Sequence, residues 1–593
     1  MKSLIEYSLN EQVEYHNSAK DAYFFGNNVV GASATREGEW TFLIGPDYTS
    51  PNYVSSIKLF VNINGEDIPL EFNMRRIRKS GVFFGAANLN NHKIYVWDFA
   101  PNNTCLAVRY IYSDTLNNAK ITAKIVPDES EQTILNGALC IKKDTDKYCF
   151  GNRETLNWQD RFCSIYFNEE SVCSGQNGEF CVTTTLKNGG GALIFSFSYE
   201  QPEIINIDPE KYLDDTFMFW QNWFSKGYMP KIENKRYADA VESILLSVKM
   251  QQNRDGGMIA GIRKYANSYV RDTHGGMRML IATRHYQEAA LLLKNIHSRF
   301  EKAGFIPNWW SMGSDTFIGH SFFNDASEVT AYYMFMARDY LKNTGDMALI
   351  NQIMPSIKWA AETQLNWLIE HDYTISFNGD ETEQYCCNND GEEYGTFVVE
   401  GYYWEHLSLS FPSAAAALCS LEWYADLTNT DWSEHTDKLR KRIDEVFLKA
   451  DGTHIWSAKF VDGKLIHHNG NLPNYLLLPL WIGARLEGGR EIDDAAKTKE
   501  FIKESGFLPN CPEAMQGFCG HSMGLYLYCM LKLGDKTEAK RAAEQILNTN
   551  LLSMYATVSE FYGPGCVPNG HMCRAFEGGI VGEALIKYFE SIE

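Results

Sequence analysis

The periodicity of the chain changes once, near Asp208, and that change bounds what it can fold into. Before it, short runs rich in β-branched and aromatic residues alternate with Asn, Gly, Asp and Pro: "EWTFLIG", "SIKLFVNIN", "KIYVWDF", "TCLAVRYIYS", "AKITAKIVP", "FCSIYFN", "EFCVTTTLK" and "GALIFSFSY". Such runs between turn residues read as strands, and this many predict a β-sandwich over residues 1–207. "DPEKYLDDTFMFWQNWFSKGY" then opens on Asp-Pro with apolar residues at helical spacing, so residues 208–235 read as a helical linker.

From Arg236 to the end the apolar residues recur at helical spacing in about twelve segments. Their character alternates. "PNYLLLPLWIGA" and "HSMGLYLYCMLKLG" are apolar nearly all round, whereas "DKTEAKRAAEQILNT" has one apolar stripe. A helix apolar on every side must be buried, and an amphipathic one lies outside it. Six buried and six covering helices predict an (α/α)6 barrel over residues 236–593. An α-solenoid is the competing architecture, but no fixed-period motif runs across the pairs.

Composition narrows the partners. With 593 residues, 45% hydrophobic and 22% charged, the chain can bury several cores. A net charge of −21 argues against binding to phosphate backbones of nucleic acid. Neither a signal-type apolar segment at the start nor a membrane-length run is visible, so a cytoplasmic chain is expected, with no membrane partner. The 14 Cys contain no CxxC pair, and no two His sit at metal-ligating helical spacing. Free thiols, no metal and no cofactor are therefore expected, and oligomeric state is left open.

The loops before the buried helices carry the chemistry-bearing residues. They are "SYVRDTHGG", "IPNWWSMGSDTFIGHSFFNDAS", "NGDETEQYCCNNDGEEYG" with "VVEGYYWEH", and "TVSEFYGPGCVPNGHMCRAFEGG". Long polar loops between helices usually carry function, and in a barrel these would meet at one mouth. Cleavage of a glycosidic bond needs two carboxyl groups flanking it. Glu560, a lone acid between Ser559 and Phe561, is one candidate. The crowded acids of "NGDETEQ" hold the other, either Glu381 or Glu383, because clustered negative charge favours keeping one carboxyl protonated. Arg271 and Asp272 have the reach to grip vicinal hydroxyls, although an N-cap with an ion pair fits equally well. Asn324 and Asp325 also fit a helix cap, with Glu328 as capping-box partner. Trp309, Trp310 and Trp404 suit stacking on sugar rings, or plugging the barrel.

Taken together, these pieces resemble the bacterial glucoamylase-like glycoside hydrolases of family 15 and their barrel relatives. That resemblance implies an N-terminal supersandwich, a helical linker and a C-terminal (α/α)6 barrel. It implies that Arg271 and Asp272 bind the non-reducing-end sugar, and that "NDASEVTAYYMF" corresponds to an Arg-Asp-Gly-Pro segment, with Asn324 where the family has Arg. "NGDETEQ" resembles the general-acid loop, which points to Glu381 with Glu383 second. "VSEFYGPG" is similar to the segment of the catalytic base, which points to Glu560. The implied activity is exo-acting, inverting hydrolysis of an α-linked, gluco-configured oligosaccharide. A phosphorylase of the same fold, a polysaccharide lyase and a non-catalytic glycan-binding protein are the other readings.

Overall fold

The computed structural model describes all residues except 14–21, 90, 144–159, 177, 262–264, 313–317, 320–324, 378–407, 468–472, 506–517, 549–551, 553–556, 564–566 and 570–572. Each of the eight quoted N-terminal runs is a strand, and eight further strands accompany them in two eight-stranded antiparallel sheets. One sheet runs in the order Ala22–Gly26, Gly31–Thr35, Trp40–Ile44, Val54–Ile63, Lys120–Pro127, Glu179–Thr185, Val172–Gln176, with Glu66–Pro69 also on Val54–Ile63. The other runs Glu131–Leu135, Ala138–Lys143, Arg161–Phe167, Gly190–Ser198, Leu106–Tyr112, His92–Phe99, Phe83–Leu89, Arg75–Arg76. The extreme N-terminus departs from the strand expectation. Lys2–Asn10 is a helix (α1), and its Ser8 hydroxyl accepts the indole N–H of Trp97 at 2.9 Å.

A polar knot lies within the apolar core of this part. Asp98, wholly buried, accepts two bonds from Arg109, at 2.7 and 2.6 Å, one from the Trp40 indole at 2.8 Å and one from the Tyr23 hydroxyl. A buried carboxylate is tolerable only when its acceptor sites are filled in this way.

The helix α2 (Pro209–Lys226) follows, with Asp208 capping its first turn through Lys211 N and Pro209 at its first position. Twelve more helices are found among the described residues: α3 (Lys235–Met250), α4 (Val270–Ala282), α5 (Tyr286–Ala303), α6 (Thr330–Thr344), α7 (Met347–Glu370), α8 (Phe411–Thr428), α9 (Ser433–Phe447), α10 (Pro473–Ile482), α11 (Arg490–Ser505), α12 (Gly520–Lys532), α13 (Lys536–Asn548) and α14 (Ala575–Ile592). A π-helical turn, Asp325–Val329, leads into α6. α4 packs on α6, α6 on α8, α8 on α10, α10 on α12, α12 on α14 and α14 back on α4. The alternate helices α3, α5, α7, α9, α11 and α13 lie against these.

The tightest crossing is that of α4 on α14. A methyl added at Gly579 would lie 1.9 Å from the Gly275 carbonyl oxygen, and one at Gly276 would lie 2.1 Å from the Met258 sulfur. Gly275 of "THGGM" and Gly579 of "FEGGI" are thus the condition for these two backbones to meet.

The links that precede α4, α6, α8, α10, α12 and α14 carry short antiparallel strands absent from the sequence reading. One such sheet joins Ile259–Gly261, Tyr265–Tyr269, Trp309–Trp310 and Ile318–Gly319. Another joins Phe518–Cys519, Phe561–Gly563 and Val567–Asn569. A third is built from Ser376–Phe377, Ser408–Ser410, Ser457–Val461 and Lys464–His467.

The sandwich is tied to the helices by buried ion pairs and loop contacts. Arg76 donates to Glu242 at 2.8 Å and Arg78 to Asp239 at 2.8 and 2.9 Å, both on α3. Tyr48 donates to the Met250 carbonyl at 2.5 Å, and Met312 N donates to the Thr49 hydroxyl at 2.7 Å. The sandwich therefore touches the link that carries Trp309 and Trp310.

Candidate active site

The first turns of α4, α6 and α14 and the segment before α12's partner strand face one another at one end of the helical ring. Arg271 and Asp272 lie in the first turn of α4, whose N-cap is Tyr269, so Asp272 is not the cap. Both are buried, at 4% and 1% exposure. Arg271 Nη1 donates to Glu328 Oε1 at 2.9 Å, and its Nη2 stands 3.7 Å from Asp272. Glu328, expected to serve a capping box, is thus the ion-pair partner of Arg271 and is itself 1% exposed. Asp325, three residues earlier in the π-turn, is also buried, and its carbonyl accepts the Thr330 hydroxyl at 2.6 Å.

Glu560 is held by backbone geometry. Gly520 N, at the start of α12, donates to the Glu560 carbonyl at 2.9 Å. Ser559 N donates to the buried Tyr562 hydroxyl at 3.0 Å, and Phe561 and Tyr562 are paired with Cys519 and Phe518. A side chain at Gly520 would meet the Ser559 carbonyl at 2.1 Å. The acid is therefore fixed by a strand, a glycine and a tyrosine, and it is 2% exposed.

Arg574, the residue that caps α14, joins these groups. Its Nη2 is 3.3 Å from Asp272 Oδ1, its Nη1 is 3.7 Å from Glu560 Oε1, and its Nε donates to Glu577 Oε2 at 3.1 Å. A continuous run of buried charge thus extends from Glu328 through Arg271, Asp272 and Arg574 to Glu560 and Glu577. Sequence reasoning missed Arg574 and Glu577. The available signal was a pair of charges at spacing i, i+3 opening a helix whose next residues are apolar.

Of the expected sugar-stacking residues, Trp309 and Trp310 fall on a two-residue strand, so they point to opposite faces. Trp310 is wholly buried and gives its indole N–H to Asn295 at 2.8 Å. It is packed as the plugging alternative describes, and it is not an exposed platform. Trp309 is half-buried, lies near Tyr269 and sits against the open face of Gly319. Glu381, Glu383, Asn324 and Trp404 lie outside the described residues.

His274, two residues beyond Asp272, is buried among Tyr332, Phe335 and Trp481. Burial and the nearby Arg278 hold its imidazole well below the usual histidine range, so it is neutral. Among the described residues no cluster of His, Cys, Asp and Glu is placed to hold a metal. No helix there is long and apolar enough to cross a membrane.

Comparison with known proteins agrees with this geometry at the level of the fold. Residues 241–389 match the model of the amylo-alpha-1,6-glucosidase family. No curated protein matches the sequence. The structure superposes on a bacterial glucoamylase complexed with acarbose with a TM-score of 0.63, at 12% identity, over 98% of this chain and 95% of that one. It also superposes on a human-microbiome protein assigned as a kojibiose phosphorylase, with a TM-score of 0.58, at 8% identity, over 95% and 86% of the two chains. The chain has the fold of the glucoamylase-like proteins, with N-terminal β-sheets and a helical C-terminal part.

Proposed function

We propose that the chain is an inverting, exo-acting glycoside hydrolase whose substrate is an α-linked, gluco-configured oligosaccharide, with Glu560 as the general base. The closed packing order from α4 round to α14 supports an (α/α)6 barrel as its catalytic domain, with the sandwich and α2 preceding it. The observation that carries the reading is Glu560. Its carboxylate is buried at the helix-ring mouth, is fixed by backbone, and shares one guanidinium with Asp272. Burying such a group costs several kcal/mol unless it is paired, and Arg574 supplies that pairing.

In the proposed mechanism Glu381, or Glu383 in its place, donates a proton to the glycosidic oxygen while Glu560 takes one from water. Inversion requires the two carboxyl groups roughly 6.5–9.5 Å apart, which leaves room for that water. Arg271 and Asp272 would hold the terminal sugar. Trp309, Asn324, Asp325 and Trp404 remain candidates for further contacts with it.

A phosphorylase is the second reading, favoured by the superposition on the microbiome protein assigned as a kojibiose phosphorylase. In that mechanism bound phosphate replaces the base. The buried carboxylates Asp272, Glu328, Glu560 and Glu577 would repel a phosphate nucleophile, which weighs towards hydrolysis.

The test is a panel of α-linked disaccharides with anomer-resolved NMR of the first product formed, with and without inorganic phosphate. A β-anomer released without phosphate is expected. Strict phosphate dependence would move the chain to the second reading. Glu560→Gln should lower kcat by at least about a thousandfold while leaving oligosaccharide binding intact. Full activity in that variant would remove Glu560 from the chemistry.

A further inference from the structure

A cavity of about 830 Å³ opens at the opposite end of the helical ring from Glu560. Its walls are the last turns of α4, α6, α8, α10, α12 and α14, and α4 alone, at 13 residues, puts about 20 Å between the two ends. The links there are short, such as Thr283–His285 and Leu533–Asp535, and among the described residues no long link covers the opening.

The lining is chemically unlike the rest of the molecule. Seven Lys and Arg side chains line it against five Asp and Glu, in a chain whose net charge is −21. Helix C-termini attract cations, and this accounts for some of them. Arg338 donates to the Ile482 carbonyl at 2.9 Å, and Lys532 to the Leu480 carbonyl at 3.3 Å. Arg278, at the floor, is neutralised by Glu583 and Asp339.

Lys342 and Arg485 are different. Both are exposed to the cavity, and neither forms an ion pair among the described residues. Partial desolvation inside the cavity depresses the Lys532 ammonium, and the like charges of Arg278, Lys342 and Arg338 push it further down. Arg485 acts on the nearby Glu422 carboxyl, but the seven cations outnumber the five acids, and such an excess makes a place for an anion. Beside them stand the half-buried rings of Tyr528 and Trp423, with Lys532 5.5 Å from the Tyr528 centroid.

The geometry points to a second ligand site, for a small phosphorylated saccharide. Its phosphate would face Lys342, Lys532 and Arg485, and its ring would lie on Tyr528 and Trp423. The volume suits one or two sugar units rather than a polymer. The site is independent of the chemistry proposed at Glu560, and a molecule bound there would be an effector and not a substrate.

Isothermal titration calorimetry with glucose 6-phosphate, glucose and inorganic phosphate tests this. One saturable site per chain is expected for glucose 6-phosphate, tighter than for either probe alone. Its affinity should fall at least tenfold in Lys342→Ala/Lys532→Ala and stay unchanged in Glu560→Gln. Both lysines are exposed, so the double variant should fold, and its circular dichroism and melting temperature confirm that. No saturable binding to the wild type, or equal affinity in the double variant, overturns the site. Loss of binding in Glu560→Gln assigns the ligand to the other end and also overturns it. Inorganic phosphate binding as tightly as the sugar phosphate overturns the saccharide part.

Discussion

Replacing Arg574 tests the buried charge network most directly. Its guanidinium serves three carboxylates, at 3.3 Å from Asp272, 3.7 Å from Glu560 and 3.1 Å from Glu577, and it is 2% exposed. At an effective dielectric of about 20, an opposite charge at 3.3 Å contributes about 5 kcal/mol of gross attraction. Desolvation offsets much of this, and removing one partner of a buried pair typically costs about 3–5 kcal/mol. Arg574→Met strands three acids at once, so it should lie at the upper end, near 5 kcal/mol by that principle. That is comparable to the whole stability of many domains.

Arg574→Lys is the foldable companion. It keeps one positive charge but loses the planar fork that reaches three acids. It should cost about 2 kcal/mol, the value of a charged hydrogen bond. Because Glu560 and Asp272 would shift against each other, kcat should fall about a hundredfold, the usual effect of a misplacement near 1 Å. Urea denaturation and steady-state hydrolysis of the best disaccharide measure the two effects. An Arg574→Met protein within about 1 kcal/mol of wild type, or an Arg574→Lys enzyme with wild-type kcat, would refute the reasoning.

The remaining predictions concern the helical ring itself. Gly579→Ala should destabilise by about 3 kcal/mol or more, because the new methyl falls 1.9 Å from the Gly275 carbonyl; an unchanged urea midpoint would show that α4 and α14 can part freely. His274 is held neutral by burial, so only the unfolded chain takes up its proton as pH falls below about 6.5. The unfolded state then binds more protons, and stability declines by about 1.4 kcal/mol per pH unit from this group. That decline begins near the unfolded value and ends at the depressed folded one. His274→Phe should remove this part of the decline between pH 7 and 5. Identical pH dependence in the two proteins would mean that His274 protonates in place.

Most of the architecture could be read from periodicity, because that signal is local. The segment "PNYLLLPLWIGA" announces a helix buried on every side, and α10 is that helix. The switch near Asp208 falls where α2 begins. Contacts that are long-range in sequence stayed hidden. Arg574 became significant only when α14 closed the ring against α4 and brought Asp272 to it. The doubled glycines carried no meaning until the two helices crossed at them. Lys2–Asn10 had too few apolar positions for its period to be told from a strand's. Trp310 is the instructive case. Adjacent tryptophans in a loop look equivalent, but in an extended segment neighbouring side chains point to opposite faces, so one of the two had to turn inward.

The charges at the candidate site argue for one direction of chemistry. Asp272, Asp325, Glu328, Glu560 and Glu577 are buried there with Arg271 and Arg574. Positive helix N-termini, which Asp272 and Glu577 occupy in the first turns of α4 and α14, make that excess of carboxylates tolerable. What remains is an environment that opposes a second anion and favours developing positive charge. Glycoside cleavage passes through an oxocarbenium-like state, with positive charge on the sugar. A phosphate nucleophile would instead have to approach four or more buried carboxylates without a cation of its own. Neither guanidinium is spare, since Arg271 is engaged by Glu328 and Arg574 by Glu577. Water carries no such penalty. If hydrolysis is the reaction, the excess of acids should make inorganic phosphate at most a weak inhibitor at this end of the ring, and its inhibition constant should be unchanged in Lys342→Ala.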